Sequence, residues 1–214
     1  MQPDVVCITP VRNDLGESLH WDASADILYW IDAWKAVVHA YEPATGDLRR
    51  TDFASALDGR PIGSIACRES GGMISGVRGG FYHLDLETGA ARLVAEVETG
   101  RPATNRFNDG KCDRAGRFWC ASVNTDHRTP SAALWRLEAG GDPLLMQDGL
   151  TVGNGIAWSP DDRTMYLADT PVGKVWQYEF DITSGEIANR RPFLSIEAGQ
   201  GAPDGATVDA DGCY

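Results

Sequence analysis

A unit of about 46 residues recurs along the chain and constrains its fold more than any other feature of the sequence. Each unit starts as a short strand pattern, passes through a turn of Asp, Ser, Pro or Gly, and continues as a strand rich in aromatic and aliphatic residues. The five first halves are GESLHWDASADILYWIDA from Gly16, IGSIACRESGGMISGV from Ile62, FNDGKCDRAGRFWCAS from Phe107, GNGIAWSPDDRTMYLADT from Gly153 and PDGATVDADGCY from Pro203. Four units continue as two more strands around a glycine-containing turn. Such units are typical of β-propeller blades, so the sequence predicts an all-β propeller.

One position of the aligned units is mostly polar. The alignment superimposes five residues, called here the column residues, at separations of 46, 45, 46 and 50 positions: Glu17, Gly63, Asn108, Asn154 and Asp204. Because the first strand of a propeller blade lines the central channel, we expect the column residues to face one axis at one depth, with Gly63 leaving a gap. Asn or Asp beside Gly also forms ordinary turns. Four oxygen-bearing side chains in one column favour a binding site instead.

The column has the chemistry of a metal site. The carboxylates of Glu17 and Asp204 repel each other unless a cation or a proton separates them. Together with the amide oxygens of Asn108 and Asn154, they form an all-oxygen set that suits Ca²⁺, Mg²⁺ or Mn²⁺. Zn²⁺ is possible with carboxylate ligands, although no histidine falls in the column. Such a cation favours metal-assisted hydrolysis of an ester-like bond. Arg106 could donate hydrogen bonds to an oxygen-rich substrate in the same cavity, or pair with a surface carboxylate.

Composition bears on the location and partners of the protein. The formal net charge of −12 over 214 residues argues against nucleic-acid or anionic-membrane partners. There is no apolar run of membrane-spanning length, the start MQPDVVCITPVRND is not a signal peptide, and the five cysteines form no CxxC pair. We therefore expect a cytoplasmic protein that acts on a small molecule, as a monomer or weak homo-oligomer.

Five stretches resemble the motifs of one known family. GESLHWD, LYWIDA, RFNDGKCDRAGRFW, GNGIAWSPD and PDGATVD, in this order from about Leu15 onwards, are similar to those of the SMP-30/gluconolactonase/luciferin-regenerating family. The resemblance implies a six-bladed propeller that binds one divalent metal and opens sugar lactones. It further implies metal ligands at Glu17, Asn154 and Asp204, with Asp204 also the candidate general base. Arg106 and Asn108 match the substrate-contacting positions.

Two segments depart from the family pattern. Gly16-Glu17-Ser18-Leu19 stands where the family usually has Gly-Glu-Gly-Pro, and it keeps the ligand. Ala121-Ser122-Val123-Asn124 stands where many members have Met-Gly-Thr, near the substrate pocket, which leaves the identity of the sugar acid open.

The fifth unit stops as its second strand begins, at Asp211-Gly212-Cys213-Tyr214. We therefore expect one propeller domain over residues 1–214 that covers about four and a half blades. Six blades at this period would require roughly 70–80 further residues.

The sequence thus predicts metal-dependent hydrolysis of a sugar lactone to the aldonic acid, with metal-activated water attacking the lactone carbonyl. Two alternatives stay open: a non-catalytic Ca²⁺-binding propeller that serves as a binding module, and an organophosphate hydrolase on the same site. The fold alone does not decide between them.

Overall fold

Four antiparallel four-stranded sheets make up the regular structure of the chain. The computed structural model describes residues 5–197 and 199–214. Strands pair in chain order within each sheet. The first two sheets comprise β1 Gly16–Asp22, β2 Ile27–Asp32, β3 Val37–Glu42, β4 Asp47–Asp52, and β5 Ile62–Cys67, β6 Met73–Val77, β7 Gly80–Leu84, β8 Ala91–Glu96. The last two comprise β9 Asn105–Cys112, β10 Phe118–Asn124, β11 Ala132–Leu137, β12 Leu144–Leu150, and β13 Gly153–Trp158, β14 Thr164–Asp169, β15 Lys174–Phe180, β16 Ile187–Ser195.

The hairpins between the third and fourth strands of three sheets share one turn geometry. In these turns a glycine with positive φ donates its N–H to the carbonyl four residues earlier, as Gly46 does to Glu42 at 2.8 Å and Gly89 does to Asp85 at 2.9 Å. Only a residue that tolerates the left-handed region fits such a turn without strain. The Thr-Gly and Ser-Gly pairs of the sequence therefore mark these turns correctly. The remaining regular element is a 3-10 helix, Thr170–Val172, and no α-helix occurs among the described residues.

The sheets pack face to face in chain order, with their first strands adjacent. A buried apolar cluster lies between each consecutive pair. Tyr29 and Ile31 of the first sheet join Ile65 of the second, and in the third and fourth sheets the rings of Trp119 and Trp158 meet with centroids 5.9 Å apart. The second and third sheets thus bury both faces against neighbouring sheets, as propeller blades do. The predicted all-β propeller is confirmed, with four complete blades.

The fifth unit differs from its prediction. Residues 199–214 contain no assigned strand, although the predicted turn forms, with the Asp209 N–H donating to the Cys213 carbonyl at 3.0 Å. Val208 and Tyr214 pack on the apolar residues of the fourth blade. A strand is held by hydrogen bonds to a neighbour, and the backbone of residues 203–208 pairs with none of the described strands. The segment is therefore placed by its side chains.

Two further observations bear on the sequence predictions. All five cysteines are free thiols, in agreement with their interpretation as reduced. Among the described residues, no helix combines the length and the apolar character that a membrane crossing requires. The predicted domain also includes residues 1–4, which lie outside the described residues.

Candidate metal and substrate site

The innermost strand of every complete blade carries one extra residue at or just after the column position. In β5 and β9 the strand register skips Gly63 and Asn108, while in β1 and β13 the shift follows Glu17 and Asn154. Such bulges break the ladder locally and redirect a side chain. Gly63 and Asn108 are therefore released from strand pairing, whereas Glu17 and Asn154 keep their partners Ile31 and Ala168 and directly precede the bulge. All four positions lie at the end of the channel where the innermost strands begin. This is why a turn-like Asn-Asp-Gly sequence occurs inside a strand.

The two column asparagines contact each other across neighbouring blades. The Nδ2 group of Asn108 donates to Oδ1 of Asn154 at 3.0 Å and to the Gly153 carbonyl at 3.1 Å. Asn154 is buried, and its own Nδ2 group donates to the Thr170 hydroxyl at 2.8 Å. Both amides are thereby oriented by protein groups. The structure brings these two predicted site residues together.

Three carboxylates act on one another at the same end of the channel. Burial raises the pKa of Glu17 above its ordinary value, and the negative charges of Asp204 and Asp109 raise it further. Burial likewise raises the pKa of Asp109, although Oδ2 of this residue accepts the Ile156 N–H at 2.9 Å. Asp204 is exposed, in the segment without strands. The charges of Glu17 and Asp204 thus act on each other, and a metal site shared by the two carboxylates stays a prediction.

The donor set fits a hard divalent cation. No three residues of the types His, Cys, Asp and Glu lie together in a metal-binding arrangement within the described ranges. A site here therefore needs an amide oxygen in addition to carboxylates, and Asn154 is the neighbouring candidate beside Glu17 and Asp204. Carboxylate and amide oxygens are the preferred ligands of Ca²⁺ and Mg²⁺. A cation would also remove the carboxylate repulsion that raises the pKa of Glu17.

Arg106 crosses the cavity next to Asn108. Its Nη1 group donates to Asn108 Oδ1 at 3.2 Å and to the Phe107 carbonyl at 2.9 Å, while its guanidinium stacks 4.7 Å from the ring centroid of Trp34. Arg106 is 6% exposed and forms no ion pair with the described carboxylates. Burial lowers its pKa, and the charge of Glu17 opposes that shift. The alternative of a rim arginine paired with a surface carboxylate is wrong.

Gly63 is required by close packing as well as leaving a gap in the column. A Cβ atom at this position would lie 2.3 Å from the carbonyl carbon and oxygen of Phe107 and 2.8 Å from the Asn108 nitrogen. These atoms belong to the backbone of the next blade. The absence of a side chain at Gly63 therefore lets β9 and the Arg106 guanidinium approach the axis.

The alignment of the repeat units did not predict three residues of the cavity. Asp109 follows Asn108 directly, and its adjacency to a column residue was an available signal. Trp34 lies in the β2–β3 connection, one residue past the aligned segment of its unit, and Thr170 is the last residue of the aligned segment from Gly153, at the start of the β14–β15 connection. Their contribution depends on how the connections fold over the channel end, which periodicity does not specify.

Comparison with known proteins agrees with this architecture. The family model described as the SMP-30/Gluconolactonase/LRE-like region matches residues 15–214. The chain is 32% identical to a 6-deoxy-6-sulfogluconolactonase of Pseudomonas putida, covering 100% of this chain and 72% of the relative. It is 29% identical to regucalcin of Xenopus laevis, covering 98% and 72% respectively.

A solved structure has the same fold. The calcium-binding protein regucalcin of Agrobacterium tumefaciens superimposes with a TM-score of 0.87 at 22% identity, over 96% of this chain and 68% of the other. At this identity the likeness concerns the fold. Together with the match over residues 15–214, it confirms the resemblance seen in the sequence motifs. The chain belongs to the SMP-30/gluconolactonase/LRE-like family.

Proposed function

We propose that the protein hydrolyses a sugar lactone to the aldonic acid in a reaction that depends on a divalent metal ion. Glu17, Asn154 and Asp204 would hold the ion, and Arg106 and Asn108 would contact the substrate. The observation that carries the proposal is the convergence of carboxylate, amide and guanidinium groups at one end of the channel. The lactonase named among the relatives supports the reaction class.

The ion, when bound, supplies Lewis acidity that polarises a carbonyl and lowers the pKa of water. Side chains of the protein would carry out the proton transfer and orient the substrate. Asp204 is exposed and is not held in a strand, so its carboxylate can accept the proton of the attacking water. The ring C–O bond then breaks, and the ring oxygen takes up a proton and leaves as a hydroxyl group. Arg106 and Asn108 would orient the lactone oxygens meanwhile, because their own positions are fixed by neighbouring groups.

Lactonase turnover after chelation, with Ca²⁺, Mg²⁺, Mn²⁺ or Zn²⁺ restored in turn, tests the proposal. We expect ring opening of at least one aldono-lactone to return with metal and to be abolished in Asp204→Asn and Glu17→Gln. Asp211→Asn and Glu69→Gln are matched controls, since both residues are exposed and lie outside the cavity. Unimpaired turnover in folded Asp204→Asn would exclude the proposed proton acceptor.

The same assay separates the two alternatives. Metal binding without turnover of any lactone or organophosphate by the folded protein would favour a calcium-binding propeller. Faster turnover of organophosphates than of lactones would favour the phosphoester chemistry, since the same Lewis acid polarises P=O groups. The cytoplasmic location and the oligomeric state stay predictions.

A further inference from the structure

The sector of the cavity next to Gly63 contains a second arginine, Arg78. This residue follows β6, whose last residue, Val77, pairs with Ile62 at the start of β5. The Arg78 N–H also donates to the Pro61 carbonyl at 3.4 Å. Arg78 therefore lies at the same end of the channel as the column residues. The second blade, whose column residue has no side chain, contributes a guanidinium group instead.

Arg78 and Arg106 both hold unused donors. The Nε atom of each is buried and has no hydrogen-bond partner within residues 5–197 and 199–214. The Arg78 side chain forms no hydrogen bond and no ion pair in that part of the chain. Burial lowers the pKa of Arg106, and the positive charge of Arg78 lowers it further. Buried donors without partners are costly, and two neighbouring cations repel each other. An anion bound between the two guanidinium groups would relieve the repulsion.

The charges of the cavity lead to the same expectation. Six charges are coupled at this end of the channel: Asp204, Asp109 and Arg106 act on Glu17, Arg78 acts on Arg106, and Lys111 acts on Asp109. These charges sum to zero, so a bound divalent ion would leave a net charge of about +2. A neutral lactone compensates none of this charge, whereas a lactone with an acidic substituent does.

We propose that the substrate is a sugar lactone carrying a second, permanently anionic group, which Arg78 binds together with Arg106. The inference rests on the proposed lactonase function and names its substrate class. Carboxylate, sulfonate and phosphate share the planar or tripod arrangement of oxygens that a guanidinium fork binds with two hydrogen bonds. Arg78 is then a specificity-determining residue, while Arg106 serves both the anion and the lactone.

The test compares glucono-lactones that differ only at C6, with hydroxyl, carboxylate, sulfonate or phosphate, in the presence of the activating metal. We expect the charged lactones to be preferred in kcat/KM. The ratio of charged to neutral kcat/KM should fall about 10- to 100-fold in Arg78→Gln, the range expected for a lost charge-assisted contact. Arg68→Gln is the matched control, because Arg68 lies in the same blade, bonded to the Gly71 carbonyl in the β5–β6 turn at the opposite end. Its ratio should equal that of the unaltered protein.

A binding measurement without turnover separates this inference from the proposed function. In calorimetry, 6-phosphogluconate should bind at least about 10-fold more tightly than gluconate, and Arg78→Gln should remove the difference. Equal binding of the two acids, or equal turnover of charged and neutral lactones, would overturn the inference and leave the lactonase intact. Arg78-dependent binding without any turnover would refute the lactonase and keep the anion site. If Arg78→Gln does not fold, Arg78→Lys decides, since it keeps the charge and must retain part of the preference.

Discussion

Gly63→Ala tests whether the second blade is built around close backbone contact. The added methyl group would lie 2.3 Å from the Phe107 carbonyl atoms and 2.8 Å from the Asn108 nitrogen. Ordinary contact distances begin near 3.4 Å. The strands β5 and β9 would therefore have to separate by roughly 1 Å, the difference between those distances, since neither contact is with a flexible side chain.

The expected cost is about 2 kcal/mol, in the middle of the range for overpacked sites. For a protein of this size that cost lowers the thermal midpoint by about 4–8 °C. In urea the midpoint should fall by about 1 M, with an unchanged slope. The displaced Phe107 carbonyl also accepts a hydrogen bond from Arg106, so lactonase activity should decrease as well.

Gly141→Ala is the control for this substitution. A Cβ at Gly141 would meet its nearest neighbour, the Cβ of Glu138, at an ordinary 3.5 Å, and the backbone there is not left-handed. It should therefore be neutral, or stabilise the protein by about 0.4–1 kcal/mol by restricting the unfolded chain. If Gly63→Ala unfolds at the same urea concentration as Gly141→Ala, the close-packing argument is refuted, and Gly63 is only a gap in the column.

Four further predictions concern stability. Ser18 has a φ of 53°, and its hydroxyl accepts the buried Ile65 N–H at 2.9 Å. Thermal melts should therefore show that Ser18→Ala lowers the free energy of unfolding by about 1–3 kcal/mol. Ser18→Gly should lower it by about 1 kcal/mol less than Ser18→Ala does, because glycine tolerates that φ. Burial lowers the pKa of His39, so the unfolded chain binds the proton more readily than the folded chain. The free energy of unfolding should therefore fall as the pH drops below about 6.5. Urea titrations at two pH values should show a smaller fall in the free energy of unfolding for His39→Gln than for the unaltered protein. Restoring Ca²⁺ to chelated protein should stabilise it by about 2.7 kcal/mol at 100 times the dissociation constant, and not stabilise Glu17→Gln. Without metal, Glu17→Gln should be more stable than the unaltered protein at neutral pH. The reason is that the pKa of Glu17 is raised in the folded chain, so its ionised form disfavours folding above about pH 4.5.

The architecture could be predicted because the repeat reports it directly. The strand pattern, the Thr-Gly turns and the period each require the same four-stranded blade, and local propensity agrees with the repeat. The fifth unit is the exception, since PDGATVD reads as a strand but no hydrogen-bonded neighbour holds it in the described residues. Sequence pattern reports the tendency to form a strand, whereas the strand itself depends on its partner.

The candidate site could be predicted only in part. The alignment places Glu17, Asn108 and Asn154 correctly at the channel end, because equivalent positions of repeated blades have equivalent depth. It does not reveal Trp34 or Arg78, which lie in connections whose sequences differ between blades. Nor does it show that the space beside Gly63 is occupied by the backbone of the next blade. Such features depend on the contacts between two blades, which the sequence of a single repeat unit does not specify.

The bulges explain how one strand can serve both the scaffold and the site. At two of the three interfaces between complete blades, the side chain after the column residue accepts a backbone N–H of the next blade, from the residue two positions after the column residue there. Ser18 accepts from Ile65 and Asp109 from Ile156, each at 2.9 Å. At the third interface Ser64 contacts the Cys120 thiol at 3.1 Å instead. These positions tie blades together through backbone N–H groups, whereas Asn108 is the described column residue whose side chain bonds to the next blade, at Asn154 Oδ1 and the Gly153 carbonyl. The column can therefore differ from blade to blade within this chain, as Glu, Gly, Asn, Asn and Asp, while the inter-blade hydrogen bond is repeated at two interfaces. It follows that exchanging Glu17, Asn154 or Asp204 should alter binding more than stability. Asn108 also links two blades, and at Gly63 the backbone of β9 occupies the place of a side chain, so changes at these two positions should affect stability as well.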